Sequence, residues 1–360
     1  MNNLFTTKNI ALFLGIFVLV FASAFVFISY SQGDEGKDDQ EEVVREKPEL
    51  ELDEEAQNLY NINNAIYSPE EAKQFESYIN DLEVVESKPD AQTYIITGDT
   101  GTGNEGQYRM ARSFTKYCQE NDCTAMIHVG DIIYDNGISS ADDPQMDYKF
   151  EIPYSKMDMP FYMSLGNHDY WGCADCVVDY ANSGKSDKFY MPAKSYVHRE
   201  EPSINFYITD TETMEDDPSQ LDWLKEEMTK DQDGKWKIVV GHRPIATHTQ
   251  KHQDALWRPK EDLREVVCQQ ADIYAAGHSH ALEFININGG EDCIAKQIIS
   301  GGGGGKLHPM NEEGKENNEK VEFGQTMFGF GVLKAVSLNE LNFQFVNEEG
   351  EVVFEKTLTK

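Results

Sequence analysis

Residues 129–137 read VGDIIYDNG: an apolar run closes on a glycine and an aspartate, and a tyrosine follows three residues after the acid. An aspartate leaving a strand is ordinary turn chemistry. A second oxygen donor reaching back toward the same point is not. The same phrase recurs along the chain as an apolar stretch of strand length, a glycine, and a side chain able to bind metal. TYIITGD ends at Asp99, AMIHVGD at Asp131, FYMSLGN at Asn167, KIVVGH at His242 and IYAAGH at His278. Runs this apolar suit strands buried on both faces, and the stretches from Glu105 to Asn121 and from Ser219 to Lys230 have helical spacing. The alternation predicts β-α-β units and a largely parallel sheet. Ligands of such sheets sit outside the carboxyl ends of the strands, and the glycines let the backbone turn sharply there.

Each phrase alone is a turn signal. Five in order deliver their side chains to one crevice, and two of them extend further, to GNHD at 166–169 and GHSH at 277–280. In an extended backbone His278 and His280 point to a common side. Imidazole suits Zn, Fe, Ni or Cu better than Mg or Ca. Three carboxylate or amide groups, three imidazoles and the Tyr134 phenol are too many for one tetrahedral site and suit two ions.

Bulk properties narrow the partners. The 360 residues carry 31 Lys and Arg against 64 Asp and Glu, a net charge of −33. That balance excludes a nucleic acid or an anionic membrane surface held by general electrostatics, and a phosphate ligand then needs positive charge supplied locally. Residues 1–9 form a short tail. Ile10 to Ser29 is a run of 20 residues without charge, the length of a membrane span, so residues 10–30 are expected to be an uncleaved transmembrane anchor with the remainder outside the cytoplasm; cleavage after Ala22-Ser23-Ala24 would instead give a secreted protein. Residues 31–60 carry 12 acids against 3 bases and are expected to be an extended tether. Residues 61–90 are expected to be a helical lead-in and 91–360 the catalytic domain. The six cysteines permit disulfides in that compartment, with fifteen connectivities. Local pairing of Cys118 with Cys123 and of Cys173 with Cys176 leaves Cys268 to meet Cys293.

GDTG at 98–101, GDIIY at 130–134, GNHD, GHRP at 241–244 and GHSH resemble the five ordered motifs of the purple acid phosphatases, within the calcineurin-like metallophosphoesterases. The likeness is to the small, tartrate-resistant type and runs from about Ala91 to Lys360. It implies an α/β fold, a four-layer α/β/β/α sandwich with two mixed sheets. It also implies hydrolysis of phosphate monoesters by metal-activated hydroxide at an Fe(III) ion paired with a divalent Fe, Zn or Mn. By the same resemblance Asp99, Tyr134 and His280 hold one metal, Asn167, His242 and His278 the other, and Asp131 bridges them. His168 matches the proton donor to the leaving group, and His252, in the loop after GHRP, a further substrate-facing histidine. The partner is then a small phosphate ester; oligomeric state is left open. Two rivals stand beside this reading: a Mn, Mg or Zn enzyme acting on phosphodiesters or nucleotides, and a silent binding module displayed on its acidic stalk. His128, inside a strand, is expected in the core. GGGGG at 301–305 is expected to be a flexible turn, or else a loop whose N–H groups approach phosphate.

Overall fold

The computed structural model describes residues 68–251, 257, 259–290, 292–311 and 320–360. The apolar run, the acidic stretch and His252 lie outside the described residues. Among those described, no helix is long and apolar enough to cross a membrane.

Strands run in chain order as β1 (Val85–Glu86), β2 (Thr93–Thr97), β3 (Ala125–Val129), β4 (Met157–Asp158), β5 (Phe161–Ser164), β6 (Phe189–Tyr190), β7 (Tyr196–His198) and β8 (Ile204–Ile208). They continue as β9 (Trp236–Val240), β10 (Ile273–Ala276), β11 (Leu282–Asn286), β12 (Lys296–Ser300), β13 (Lys320–Gln325), β14 (Gly329–Ser337), β15 (Glu340–Asn347) and β16 (Val352–Thr359). The α-helices are α1 (Pro69–Ala72), α2 (Glu105–Asn121), α3 (Asn167–Trp171), α4 (Ala174–Asn182), α5 (Ser219–Lys230) and α6 (Lys260–Gln270). The lead-in is therefore mixed: α1 and a following 3₁₀ turn give way to β1, which pairs with β4.

Two seven-stranded sheets carry the fold, in the orders β16-β15-β14-β2-β3-β5-β6 and β13-β11-β12-β10-β9-β8-β7. Strands β2, β3, β5 and β6 are parallel, as are β8, β9, β10 and β12. Antiparallel strands complete each sheet, so the largely parallel expectation holds for the strands that bear motifs and fails at the sheet margins. There the short hairpins of the C-terminal region add strands to the first sheet.

The sheets face each other, with Tyr94 of β2 edge-on to Phe206 of β8 at 5.2 Å. Asn104 caps α2 by accepting from the Gln107 N–H, a contribution of about 1 kcal/mol. The helix then buries Met110, Ala111, Phe114 and Cys118 on one face, with Phe114 edge-on to Phe330 of β14. On the other side, α5 and α6 bury Leu221, Leu224, Met228, Leu263, Val266 and Val267 against Tyr207, Val239 and Tyr274 of the second sheet. Cys118–Cys123, Cys173–Cys176 and Cys268–Cys293 are disulfide-bonded. Three disulfides suit an extracellular or lumenal compartment.

Candidate metal centre

Adjacent parallel strands end at the same level, which aligns the phrases after β2, β3 and β5 in one sheet and those after β9 and β10 in the other, and the contact of His242 with Val129 O joins the two groups. Asp99, Asp131 and His278, each just beyond its strand, adopt left-handed backbone with φ of 58°, 54° and 66°. Non-glycine residues rarely do so, and such strain gathers at functional sites. The glycine before each permits a close approach: a Cβ on Gly130 would lie 2.5 Å from His242 Nδ1, and one on Gly277 2.6 Å from Asp99 Oδ2.

All seven expected donors converge. The Tyr134 hydroxyl lies 2.9 Å from Asp131 Oδ2, 3.1 Å from Asp99 Oδ1 and 3.0 Å from His280 Nε2. His242 Nε2 lies 3.4 Å from Asp131 Oδ1, 3.3 Å from Asn167 Oδ1 and 3.2 Å from His278 Nδ1. Two groups of donors therefore meet at Asp131, one on each carboxylate oxygen. Backbone carbonyls set the tautomers: His242 Nδ1–H donates to Val129 O at 2.8 Å, and His280 Nδ1–H to Lys306 O at 2.6 Å. Each ring thereby turns Nε2 inward, the arrangement that orients imidazole ligands.

The ionisable groups of the cluster act strongly on one another. Burial pushes the Tyr134 phenol well above its ordinary range, and the Asp131 and Asp99 carboxylates add to this. Burial alone would also lower His242, but Asp131 and Asp99 hold it up at about 10. Burial opposes ionisation of Asp131, yet His242 and His168 keep it well below the usual carboxylate range. Protons thus sit where cations would replace them, and a buried cluster of anionic and neutral nitrogen donors fits metal ions.

His168 stands at the edge of this cluster. Its N–H donates to Asp131 Oδ1 at 2.9 Å, its Nδ1–H donates to the Asp135 carbonyl, and its ring lies between Tyr134 at 4.3 Å and Trp171 at 4.1 Å. Its Nε2 lies 3.9 Å from Asp131 Oδ2. His128 is a core residue: its Nε2 bonds Thr100 Oγ1 at 2.9 Å, and burial lowers its pKa to about 3.

Three features escaped sequence reasoning. Asp169 accepts from the Ile132, Ile133 and Gly166 N–H groups, tying the turn that bears Asp131 to the one that bears Asn167. Lys149, buried, donates to the Tyr134 carbonyl and to Gln145 Oε1. His308 stacks on His280 at 4.2 Å and 11°. The first was legible in principle from the D of GNHD. The other two come from segments with no motif.

The glycine run is a correction: Gly301 to Gly305 are all buried and packed beneath the cluster, not a flexible turn. A Cβ on Gly303 would lie 2.3 Å from Gly98 O, and one on Gly301 2.3 Å from Ser279 O. The run is glycine because backbone meets backbone there.

This fold, with its donors at the strand ends, defines a class. The calcineurin-like phosphoesterase family matches residues 93–282, more than half of the chain, and the chain belongs to that family. Within it, the chain is similar to purple acid phosphatase 3 of Arabidopsis thaliana, at 26% identity over 72% of this chain and 76% of that protein. It is also similar to tartrate-resistant acid phosphatase type 5 of Homo sapiens, at 22% identity over 75% and 91%. Two solved structures share the fold. The purple acid phosphatase PPD1 from yellow lupin (Lupinus luteus) seeds has a TM-score of 0.60 at 19% identity, covering 74% of this chain and 53% of that one. GAP50, described as the anchor in the inner membrane complex of Plasmodium, has a TM-score of 0.61 at 22% identity, covering 74% and 88%.

Proposed function

We propose that the chain is an acid phosphatase that hydrolyses phosphate monoesters at an Fe(III) ion paired with a divalent Fe, Zn or Mn. Asp99, Tyr134 and His280 would hold one ion, Asn167, His242 and His278 the other, with Asp131 shared. The observation that carries this reading is the division of Asp131, with Oδ2 toward the phenol and Oδ1 toward His242. The names of the curated relatives support the monoester activity, and the hard phenol donor supports Fe(III). When bound, such an ion pair holds the ester phosphate and lowers the pKa of the attacking water. The apolar run at 10–29 supports display of the domain at a membrane.

The chain's own residues supply the rest. Asp131 fixes the His168 backbone, and the Asp135 carbonyl fixes the ring through Nδ1, so a proton on Nε2 faces the leaving group. Tyr134 and Trp171 hold the ring in its plane between them. Arg243, beside His242 in the chain, is committed to Glu212 at 2.7 Å and serves the loop.

A second reading has one observation of its own, since the Tyr134 hydroxyl is within donating distance of Asp131 and Asp99. A phenol that keeps its proton would suit a Mn, Mg or Zn enzyme acting on diesters or nucleotides. Nitrophenol release from nitrophenyl phosphate and from the bis(nitrophenyl) phosphate diester separates the two; the monoester is expected to be much the better substrate at mildly acidic pH, and a preference for the diester would reverse the assignment. His168→Ala is expected to lower kcat about a hundredfold or more on an alkyl phosphate. The loss should be smaller on nitrophenyl phosphate, whose phenolate leaves without needing a proton, and equal losses on both would remove His168 as the proton donor.

A further inference from the structure

Of the four tryptophans, Trp236 is buried, and Trp223 and Trp257 are half-buried against the apolar layer of α5 and α6. Trp171 differs. It is 60% exposed, although its ring centre lies 4.1 Å from that of His168 at the edge of the candidate centre. A single exposed apolar side chain needs no explanation on an ordinary surface. One that touches the candidate proton donor, on backbone that cannot yield, does.

That backbone is held from two directions. Trp171 is the last residue of α3, and residues 136–138 press on the turn that follows: a Cβ on Gly172 would lie 2.3 Å from Asn136 O and 2.6 Å from Ile138 O. In return, a Cβ on Gly137 would lie 2.9 Å from His168 O and from Asp169 O. The Cys173 N–H donates to Ile138 O at 2.9 Å, the Cys173–Cys176 disulfide closes the next turn, and the Tyr170 hydroxyl donates to Asp210. A contact with the indole therefore has only two side-chain torsions to fix.

His168 has an aromatic neighbour on either side, Tyr134 at 4.3 Å and Trp171 at 4.1 Å. Tyr134 is buried, so the uncovered aromatic area beside His168 belongs to Trp171. A leaving group that brings its ester oxygen to His168 Nε2 brings the atoms next to that oxygen within reach of the indole. A flat ring covers most of that area, and offset or edge-on aromatic contact adds to the gain from burial. The short distance between the two protein rings favours a ring joined directly to the ester oxygen over one carried on a longer linker.

We propose that Trp171 is a specificity residue that stacks on the leaving group and selects aryl phosphate monoesters, those whose ester oxygen is joined directly to an aromatic ring. This rests on the phosphatase reading above for the cleaved phosphate and for the role of His168. In the reaction the P–O bond to the phenol oxygen breaks, that oxygen takes the proton from His168 Nε2, and water supplies the oxygen that stays on phosphate. A phenolate as basic as that of tyrosine still takes such a proton.

The test uses phosphonates, which are not hydrolysed, titrated calorimetrically into the metal-loaded full chain. Benzylphosphonate matches phenyl phosphate with a methylene in place of the ester oxygen, cyclohexylmethylphosphonate has a saturated ring, and ethylphosphonate has none. Benzylphosphonate is expected to bind the wild type about tenfold tighter than ethylphosphonate and about threefold tighter than cyclohexylmethylphosphonate. In Trp171→Ala the benzyl-to-ethyl ratio should fall to about one, and Trp171→Phe should restore part of it. A variant that holds metal or phosphate less well weakens both ligands and leaves the ratio unchanged. No preference for benzylphosphonate in the wild type, or a preference that survives Trp171→Ala, overturns the proposal; equal binding of the saturated ring overturns selection for aryl esters. Turnover of nitrophenyl phosphate by the wild type is scored separately. An active protein without the benzyl preference sinks the stacking role alone, whereas an inactive one with the Trp171-dependent ratio sinks the phosphatase reading and leaves the contact standing.

Discussion

Asp131→Ala is expected to lower kcat/KM for nitrophenyl phosphate by about three orders of magnitude or more and to cost at least one of the bound metals, measured by elemental analysis of the purified protein. The size of the effect follows from how many groups this one carboxylate organises. Oδ2 faces the Tyr134 hydroxyl, Oδ1 faces His242 Nε2 and accepts the His168 N–H. Removal therefore takes a shared anionic donor from both halves of the cluster and unfastens the candidate proton donor in the same step. Asp131→Asn keeps an oxygen but not the charge, and is expected to fall between the two. A fully active, metal-replete Asp131→Ala protein would mean that the two groups of donors do not work as one centre.

The second large effect is on stability. Asp169 is fully buried, and its carboxylate accepts from Gly166 N at 2.8 Å, Ile132 N at 3.0 Å and Ile133 N at 3.3 Å. Burial and the neighbouring Asp131 push its pKa up to about 7, against the pull of those donors. Asp169→Ala leaves three buried N–H groups without an acceptor, each costing about 1–3 kcal/mol. Denaturant unfolding should show a loss of about 3–9 kcal/mol on that basis, with Asp169→Asn recovering part of it through its carbonyl oxygen. Because the same bonds join the Asp131 turn to the start of α3, metal affinity should fall alongside stability. A loss under about 1 kcal/mol would show that the turns hold their shape without this strut.

These two residues also show what was legible in the sequence. Asp131 announced itself, because a strand, a glycine and a side chain able to bind metal recur five times along the chain, and adjacent parallel strands end side by side. The motifs thus carried both the sheet and the donors. Asp169 sat inside a motif, but its role depends on where the Ile132 and Ile133 N–H groups point, which is settled by a left-handed turn at Asp131 that no residue pattern signals. His308 and Lys251 lie further out of reach. They meet, with Lys251 Nζ 3.2 Å from His308 Nε2, only because segments some 60 residues apart run alongside each other, as Gln250 Nε2 to Met310 O also records, and that pairing leaves no periodicity to read. The glycine run at 301–305 was misread for a related reason: composition cannot tell a glycine that needs freedom from one that needs room. The runs GVLKAVS and NFQFVN, at 331–337 and 342–347, lie within β14 and β15.

The most direct measurement is the visible absorption spectrum of the oxidised protein beside that of Tyr134→Phe. A phenolate on Fe(III) absorbs visible light, and Tyr134 is the phenol whose hydroxyl lies within 3.1 Å of Asp99, Asp131 and His280. The predicted result is a broad visible band in the wild type that disappears in the variant. A wild type that is colourless and free of iron, yet active, would contradict it and make Tyr134 a hydrogen-bonding neighbour of a divalent-metal phosphoesterase site.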